Sequence, residues 1–224
     1  ALLGGVLDRQ EEFAEAIAQD FGGRAREETI LLEVLPLLSG IRHARRHLRR
    51  WMRPRRVLPS WQCFPGRAQV VHQPLGVVGI IGAWNYPLLL ALSPVVDALG
   101  AGNHVMLKPS DLAPRTAELI REMLAGLFPE DHVAVATGGP ETAAAFASLP
   151  FDHLLFTGSA RVARLVMRAA SENLTPVTLE LGGKSPALIH EDYPLRRSAE
   201  SILAGKLYNA GQTCLAPDYV LLPA

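Results

Sequence analysis

The sequence predicts an α/β fold. A doubly wound parallel sheet of Rossmann-like type is expected, with a hairpin excursion before its first strand and the start of a second α/β domain after its last. Two observations carry this. From Gly76 onward, short apolar runs alternate with helical stretches of roughly ten residues, the pattern of strands joined by crossover helices. The first run, 77–82, is apolar throughout, as a strand covered on both faces must be.

The elements follow in order. Over 5–21, Val6, Phe13, Ile17 and Phe21 recur near a helical period, with Asp8, Glu11 and Glu15 elsewhere. This is an amphipathic helix that Gly22-Gly23 stops. A longer helix is expected over 26–53, kinked at Pro36. Its second half carries Arg42, Arg45, Arg46, Arg49, Arg50 and Arg53. A solvated face near the negative end of the helix dipole is the plain reading, contact with another subunit or with nucleic acid the others. Residues 57–73 hold two short apolar segments around Phe64-Pro65-Gly66, which predicts a hairpin or extended excursion. Strands are then expected at 77–82, 104–107, 133–137, 153–157 and 177–181, and helices at 88–99, 113–127, 141–149 and 161–170. A strand at 186–190, a helix at 194–208 and a strand at 219–222 open the second domain. The expected organisation is N-terminal helices of the cofactor domain over 1–56, the excursion over 57–73, a dinucleotide-binding domain over 74–181 and the start of a catalytic domain over 182–224. Ligand is expected at the carboxyl ends of the strands.

The 224 residues suffice for a sizeable core, and 49% hydrophobic with 20% charged residues suits a soluble enzyme. Lys plus Arg and Asp plus Glu are both 22, so no global field selects nucleic acid, anionic membrane or acidic substrate. Cys63 and Cys214 cannot build a disulfide framework. A reducing compartment and a cytoplasmic location are expected. The longest apolar run, 87–94, is far too short to span a bilayer. The chain starts without Met and ends in what reads as a strand, so a piece of a longer protein is expected.

Several residues sit where chemistry is done. Gly76, Gly79 and Gly82 are spaced by three but fall within a strand, where glycines also admit close helix packing. Thr157-Gly158-Ser159 follows a strand and opens a helix, so its backbone N–H groups can face an anion. Lys108 ends a strand. It either faces the ligand crevice, donating to ribose or phosphate, or caps a loop. Asn85 follows a strand and either caps the next helix or donates to an oxyanion. Glu180 stands on a near-apolar strand, where a carboxylate is costly to bury unless paired or protonated. Cys214 is either a small buried hydrophobe or a nucleophile that holds an acyl group as a thioester. Cys63 lacks any such context and reads as structural.

Together, Ala83-Trp84-Asn85-Tyr86-Pro87, Leu107-Lys108-Pro109-Ser110, Phe156-Thr157-Gly158-Ser159, Glu180-Leu181-Gly182-Gly183-Lys184 and Gly211-Gln212-Thr213-Cys214-Leu215-Ala216-Pro217-Asp218-Tyr219 closely resemble the aldehyde dehydrogenase superfamily. The last of these peptides looks most like the coniferyl-aldehyde and class 3 fatty-aldehyde branch. The resemblance covers nearly the whole chain. It implies oxidation of an aldehyde to a carboxylic acid with NAD or NADP. Cys214 would attack the aldehyde carbon, Asn85 and the Cys214 N–H would hold the oxyanion, and Glu180 would activate the water that cleaves the thioester. Trp84, Lys108, Ser110, Asp111, Thr157, Gly158, Ser159, Leu181 and Gly182 would hold the cofactor, with Lys108 on the adenosine ribose and Thr157–Ser159 on the pyrophosphate.

Two departures stand out. Relatives often carry Glu where Asp111 stands, and the shorter side chain leaves NAD against NADP open. Relatives commonly carry Gly where Ala163 stands, and the methyl either crowds the cofactor or alters helix packing. The resemblance further implies a homodimer or homotetramer in which the hairpin reaches a partner, and an aldehyde as the small-molecule partner. No metal, nucleic acid or membrane span is expected. The piece alone is expected to be inactive, since part of the catalytic domain would lie beyond it. Two rival readings are a CoA-acylating or phosphorylating relative, against which Glu180 speaks, and a non-catalytic nucleotide-binding fragment.

Overall fold

The computed structural model describes residues 1–223. The N-terminal segment forms α1 (Leu2–Asp8) and α2 (Gln10–Asp20) rather than one helix, because Arg9 leaves helical geometry at φ −112°, ψ 14°. Phe13 and Ile17 of α2 are wholly buried. Gly22 and Gly23 take positive φ, and the Gly23 N–H closes on the Ala18 carbonyl at 2.7 Å, ending the helix as expected. The long helix runs as α3 (Arg26–Thr29), a π turn (Ile30–Val34) and α4 (Leu35–Trp51). The expected kink at Pro36 is replaced by that π turn. Proline has no N–H to offer the carbonyl one turn back, and the wider turn absorbs the mismatch just before it.

After α4 comes an antiparallel hairpin. β1 (Arg55–Val57) pairs with β2 (Ala68–Val70), Arg55 opposite Val70 and Val57 opposite Ala68. Its side chains are mostly bare, including Leu58, Trp61 and Phe64.

The centre is a five-stranded sheet, every pair in it parallel. Along the chain it is built from β3 (Val77–Ile81), α5 (Leu89–Gly100), β4 (His104–Lys108), α6 (Pro114–Leu127), β5 (Val133–Val135), α7 (Pro140–Ala147), β6 (His153–Gly158), α8 (Ala160–Ser171) and β7 (Val177–Leu181). The spatial order is β5-β4-β3-β6-β7. Chain direction outward from β3 reverses between β3 and β6, the crevice where doubly wound folds bind ligand. One face of the sheet packs on α5 and α6, with α1, α2 and α4 outside them, through Val78, Ile80, Val105 and Leu107. The other packs on α7 and α8 through Ile81, Leu154 and Phe156. Two buried faces explain why these strands read as apolar runs.

β8 (Ser185–Leu188), α9 (Leu195–Leu207) and β9 (Pro217–Leu221) form a separate parallel unit, Ser185 in register with Pro217 and Leu188 with Leu221. Among the described residues neither strand joins the central sheet. Their pairing carries the segment after β7 alongside the segment after Cys214.

Candidate active site

The approach to Cys214 is a run of three left-handed residues: Asn209 at φ 52°, Ala210 at φ 54° and Gly211 at φ 80°. Glycine tolerates this. The two residues with a Cβ persist there only when their surroundings hold them. The buried Asn209 side chain supplies part of that hold. Its Nδ2 donates to the Asn85 carbonyl at 2.7 Å and to the Gln212 carbonyl at 3.4 Å, and Gln212 Nε2 donates back to the Asn209 carbonyl at 2.9 Å. Asn85 Nδ2 donates to the same Gln212 carbonyl at 2.9 Å. Tyr86 and Thr213 are joined through their hydroxyls at 2.6 Å. The exit of β3 and the cysteine loop are thus laced by side chains from both. Cys214 is half-buried, and among the described residues no backbone carbonyl accepts its N–H.

A charged cluster from the N-terminal helices lies behind this lacing. Arg24 and Glu33 are buried, with Arg24 Nη1 donating to Glu33 Oε1 at 2.7 Å. The other Glu33 oxygen accepts the N–H groups of Leu88 and Leu89 at 2.8 and 3.1 Å. Those are orphan donors at the start of α5. The helix-capping role that the sequence leaves open for Asn85 is therefore taken by Glu33, which leaves the Asn85 amide to the cysteine loop. Burial pushes the Glu33 carboxyl up, while Arg24 and the two N–H groups pull it back. The Arg24 guanidinium also lies over the rings of Tyr86 and Phe21, at 5.1 and 5.3 Å from their centroids. Burial raises the Tyr86 phenol above its usual range, and the Thr213 hydrogen bond opposes this. Glu28 accepts the Asn209 N–H at 2.5 Å.

The cofactor candidates stand along the carboxyl edge of the sheet. Ile81 is in register with Lys108 on one side and Phe156 on the other, Thr157 with Glu180, and Gly158 with Leu181. Lys108 is buried, 2% exposed, and its Nζ lies 3.2 Å from Asp111 Oδ1. Ser110 Oγ accepts the Leu112 N–H at 3.3 Å, shaping the turn between them. Trp84 follows β3 and tilts against Phe21, ring centroids 6.1 Å apart. Ser159 caps α8, its Oγ accepting the Val162 N–H at 3.3 Å. A methyl on Gly158 would stand 2.6 Å from the Phe156 ring, so the backbone there can be approached only from the open side. A methyl on Gly182 would meet nothing within 4 Å. A capped helix start, an open glycine edge and a buried ammonium at one strand end fit the phosphates and ribose of a dinucleotide.

One sequence expectation changes, and two readings left open are narrowed. The strand carrying Glu180 alternates in burial, and Glu180 is exposed. The burial-cost argument therefore does not apply to it; what marks it is position, at the end of β7 and three residues before Gly183. A methyl on Gly183 would stand 2.7 Å from the Cys214 carbonyl oxygen, so the backbone after Glu180 passes directly against the cysteine. The two readings of the Gly76, Gly79 and Gly82 series resolve to packing. Methyls at Gly79 and Gly82 would meet the Phe151 ring at 2.6 Å and Ala91 Cα at 3.4 Å, and Gly76 has φ 134°. Ala163 is buried in the cluster on the α8 face of the sheet, so its methyl alters helix packing. Sequence reasoning missed Arg24, Glu28, Glu33, Tyr86, Asn209 and Thr213 as parts of the site. One signal was present, a lone carboxylate at Glu33 inside the run Ile30-Leu31-Leu32-Glu33-Val34-Leu35.

The aldehyde dehydrogenase family pattern matches residues 4–224. A protein named "Probable coniferyl aldehyde dehydrogenase" from Pseudomonas aeruginosa is 53% identical over 98% of this chain and 46% of its own length. A "Coniferyl aldehyde dehydrogenase" from Pseudomonas sp. strain HR199 is 46% identical over 97% of this chain and 45% of its own. A solved Staphylococcus aureus AldH in its substrate-bound state superposes with TM-score 0.93 at 38% identity, over 98% of this chain and 48% of that one. A Mycobacterium tuberculosis aldehyde dehydrogenase complexed with NAD+ superposes with TM-score 0.89 at 34% identity, over 100% of this chain and 46% of that one. The chain therefore spans about half the length of the relatives it matches.

Proposed function

The chain belongs to the aldehyde dehydrogenase family, and from that premise we propose that it carries the nucleophile and much of the dinucleotide site of an NAD- or NADP-dependent enzyme that oxidises an aldehyde to its carboxylic acid. The substrate is an aromatic aldehyde such as coniferyl aldehyde, or a medium to long aliphatic one. The observation that carries this reading is the Asn85 side chain tied to the peptide that presents Cys214.

The residues have these roles. The Cys214 thiolate forms a bond to the aldehyde carbon, and the carbonyl oxygen becomes an alkoxide. A side-chain amide has two N–H donors, and Gln212 takes one from Asn85. The second, with the Cys214 backbone N–H, faces the alkoxide. The dinucleotide, when bound, supplies the hydride acceptor that turns this adduct into a thioester. Lys108, Asp111, Trp84 and Ser110 would hold its adenosine end, Thr157, Gly158 and Ser159 its phosphates, and Leu181 and Gly182 its nicotinamide end. Glu180 takes the proton from a water that attacks the thioester carbon, releasing the acid and restoring the thiol. In this reading residues 74–181 are the dinucleotide domain, 182–224 begin the catalytic domain, and the β1–β2 hairpin meets a second subunit of a cytoplasmic dimer or tetramer. Among the described residues no helix is long and apolar enough to cross a membrane.

The test uses the full protein that carries this chain. Cys214→Ala should abolish aldehyde-dependent formation of NADH or NADPH while cofactor binding persists. The parent should need neither phosphate nor CoA. Retained turnover in the variant would remove Cys214 from the role, and a requirement for CoA or phosphate would transfer the acyl group elsewhere.

A further inference from the structure

Two parts of this site are set against one another by a third part of the chain, far from both in sequence. The left-handed run Asn209-Ala210-Gly211 is held by its own lacing, by the Asn85 carbonyl on the Asn209 side chain at 2.7 Å, and by Glu28 Oε1, which accepts the Asn209 backbone N–H at 2.5 Å. Behind Glu28 stands the buried Arg24, its Nε 4.0 Å from Glu28 Oε2 and its Nη1 on Glu33 at 2.7 Å. Glu33 in turn holds the N–H groups of Leu88 and Leu89, which follow Asn85-Tyr86-Pro87 directly. The stretch from Arg24 through α3 and the π turn thus presents two carboxylates on either side of one guanidinium, which is hydrogen-bonded to Glu33 and 4.0 Å from Glu28. One fixes the entry to the cysteine loop, the other the peptide after Asn85. Charge-assisted bonds of this kind are stronger and more directional than neutral ones. Among the described residues Arg24 Nε and Nη2 have no hydrogen-bond partner, so the guanidinium is hydrogen-bonded to Glu33 and faces Glu28 and the Tyr86 ring without a hydrogen bond to either.

We propose that Glu28 is a positioning residue for the reaction. By holding Asn209 in the left-handed conformation, it sets the height and direction at which Cys214 meets the Asn85 amide. This rests on the oxidation chemistry proposed above, but the geometry of the thiol can be read without it. Glu28 is not among the residues proposed to meet substrate or cofactor. Its contribution is the conformation of a loop that two Cβ-bearing residues would otherwise leave.

The experiment compares the full protein with Glu28→Ala, Glu28→Gln and the double variant Glu28→Ala/Ala210→Gly. Two quantities are read: kcat and KM with aldehyde and cofactor, and the rate at which iodoacetamide alkylates Cys214. Removing the acceptor should lower kcat by about tenfold to a hundredfold, the scale of a small misplacement of reacting groups, with KM for the cofactor unchanged. The alkylation rate should shift with kcat. Gln keeps a carbonyl acceptor and should recover most of the loss. Glycine at position 210 removes a Cβ from the left-handed run, so the double variant should recover part of it. If Glu28→Ala does not fold, Glu28→Met, similar in volume and without an acceptor, carries the same expectation. Parent-like kcat and alkylation in the Ala or Met variant would overturn the proposal. So would a loss that neither Gln nor Ala210→Gly recovers, since that is the mark of general destabilisation. A parent that alkylates at Cys214 but oxidises no aldehyde would instead overturn the functional reading, leaving the alkylation series to decide the role of Glu28.

Discussion

Asn85 and Gln212 are joined across the molecule: the Asn85 Nδ2 donates to the Gln212 carbonyl at 2.9 Å, with Cys214 two residues further on. The bond ties the loop after the first strand of the sheet to the loop that presents the thiol. One amide group thereby fixes the cysteine peptide. In the proposed reaction its other hydrogen meets the oxygen of the aldehyde, so position and charge stabilisation would come from a single side chain.

Replacing Asn85 by Ala removes both functions. Loss of one preorganised oxyanion donor costs about a hundredfold to a thousandfold in kcat. The expected trace in stopped flow is a slowed first turnover with cofactor affinity unaltered. An unchanged first-turnover rate would take Asn85 out of the chemistry and leave it a loop tie.

In the proposed reaction the role of Glu180 is separable from that of Asn85. It lies at the end of β7, exposed, with its chain passing against Cys214 at Gly183. If it serves the water and not the hydride step, Glu180→Gln should keep a rapid burst of reduced cofactor, followed by a steady rate lower by about a hundredfold or more. Loss of the burst itself would assign Glu180 to the first half of the reaction.

Gly79 tests the packing reading of the spaced glycines. A methyl there would stand 2.6 Å from the Phe151 ring and 2.9 Å from Leu154. Overpacking of this kind costs about 1–3 kcal/mol, so Gly79→Ala should lower the melting temperature by several degrees. Cofactor affinity of the folded protein should hold. An unshifted melting temperature with weakened cofactor binding would return the glycine to the ligand.

The inner strands and the helices were legible because both sheet faces are covered there, which prints these strands as apolar runs and the crossover helices as apolar-faced stretches. The break at Arg9 and the π turn before Pro36 were not, since backbone adjustments of one or two residues leave the apolar period almost unchanged. The candidate site was legible where short peptides carry the resemblance, around Asn85, Lys108, Thr157–Ser159 and Cys214. It was not legible where the residues that hold those peptides lie far away. The argument that a carboxylate in an apolar run must be paired points to Glu180 and to Glu33 alike. It holds for Glu33, which is buried with Arg24 and two helix N–H groups. It fails for Glu180, whose strand lies at the edge of the sheet and keeps one side open.

If the proposed cofactor placement holds, Lys108 and Asp111 bear on the choice between NAD and NADP. The Lys108 ammonium is buried at the end of β4, and Asp111 Oδ1 lies 3.2 Å from it. A carboxylate at this edge disfavours a 2′-phosphate by repulsion and, by engaging the ammonium, keeps Lys108 from pairing with one. Asp111→Asn abolishes the first effect and weakens the second, since it removes the charge and leaves the ammonium only a neutral carbonyl oxygen. The ratio of kcat/KM for NADP to that for NAD should therefore rise by about tenfold, the worth of roughly 1.4 kcal/mol. Lys108→Met supplies the opposite arm: without the ammonium the same ratio should fall, because Asp111 then faces the phosphate alone. Steady-state kinetics with both dinucleotides on the three proteins decides it. If the ratio stays constant across them, this pair holds the turn and the ribose but does not distinguish the cofactors.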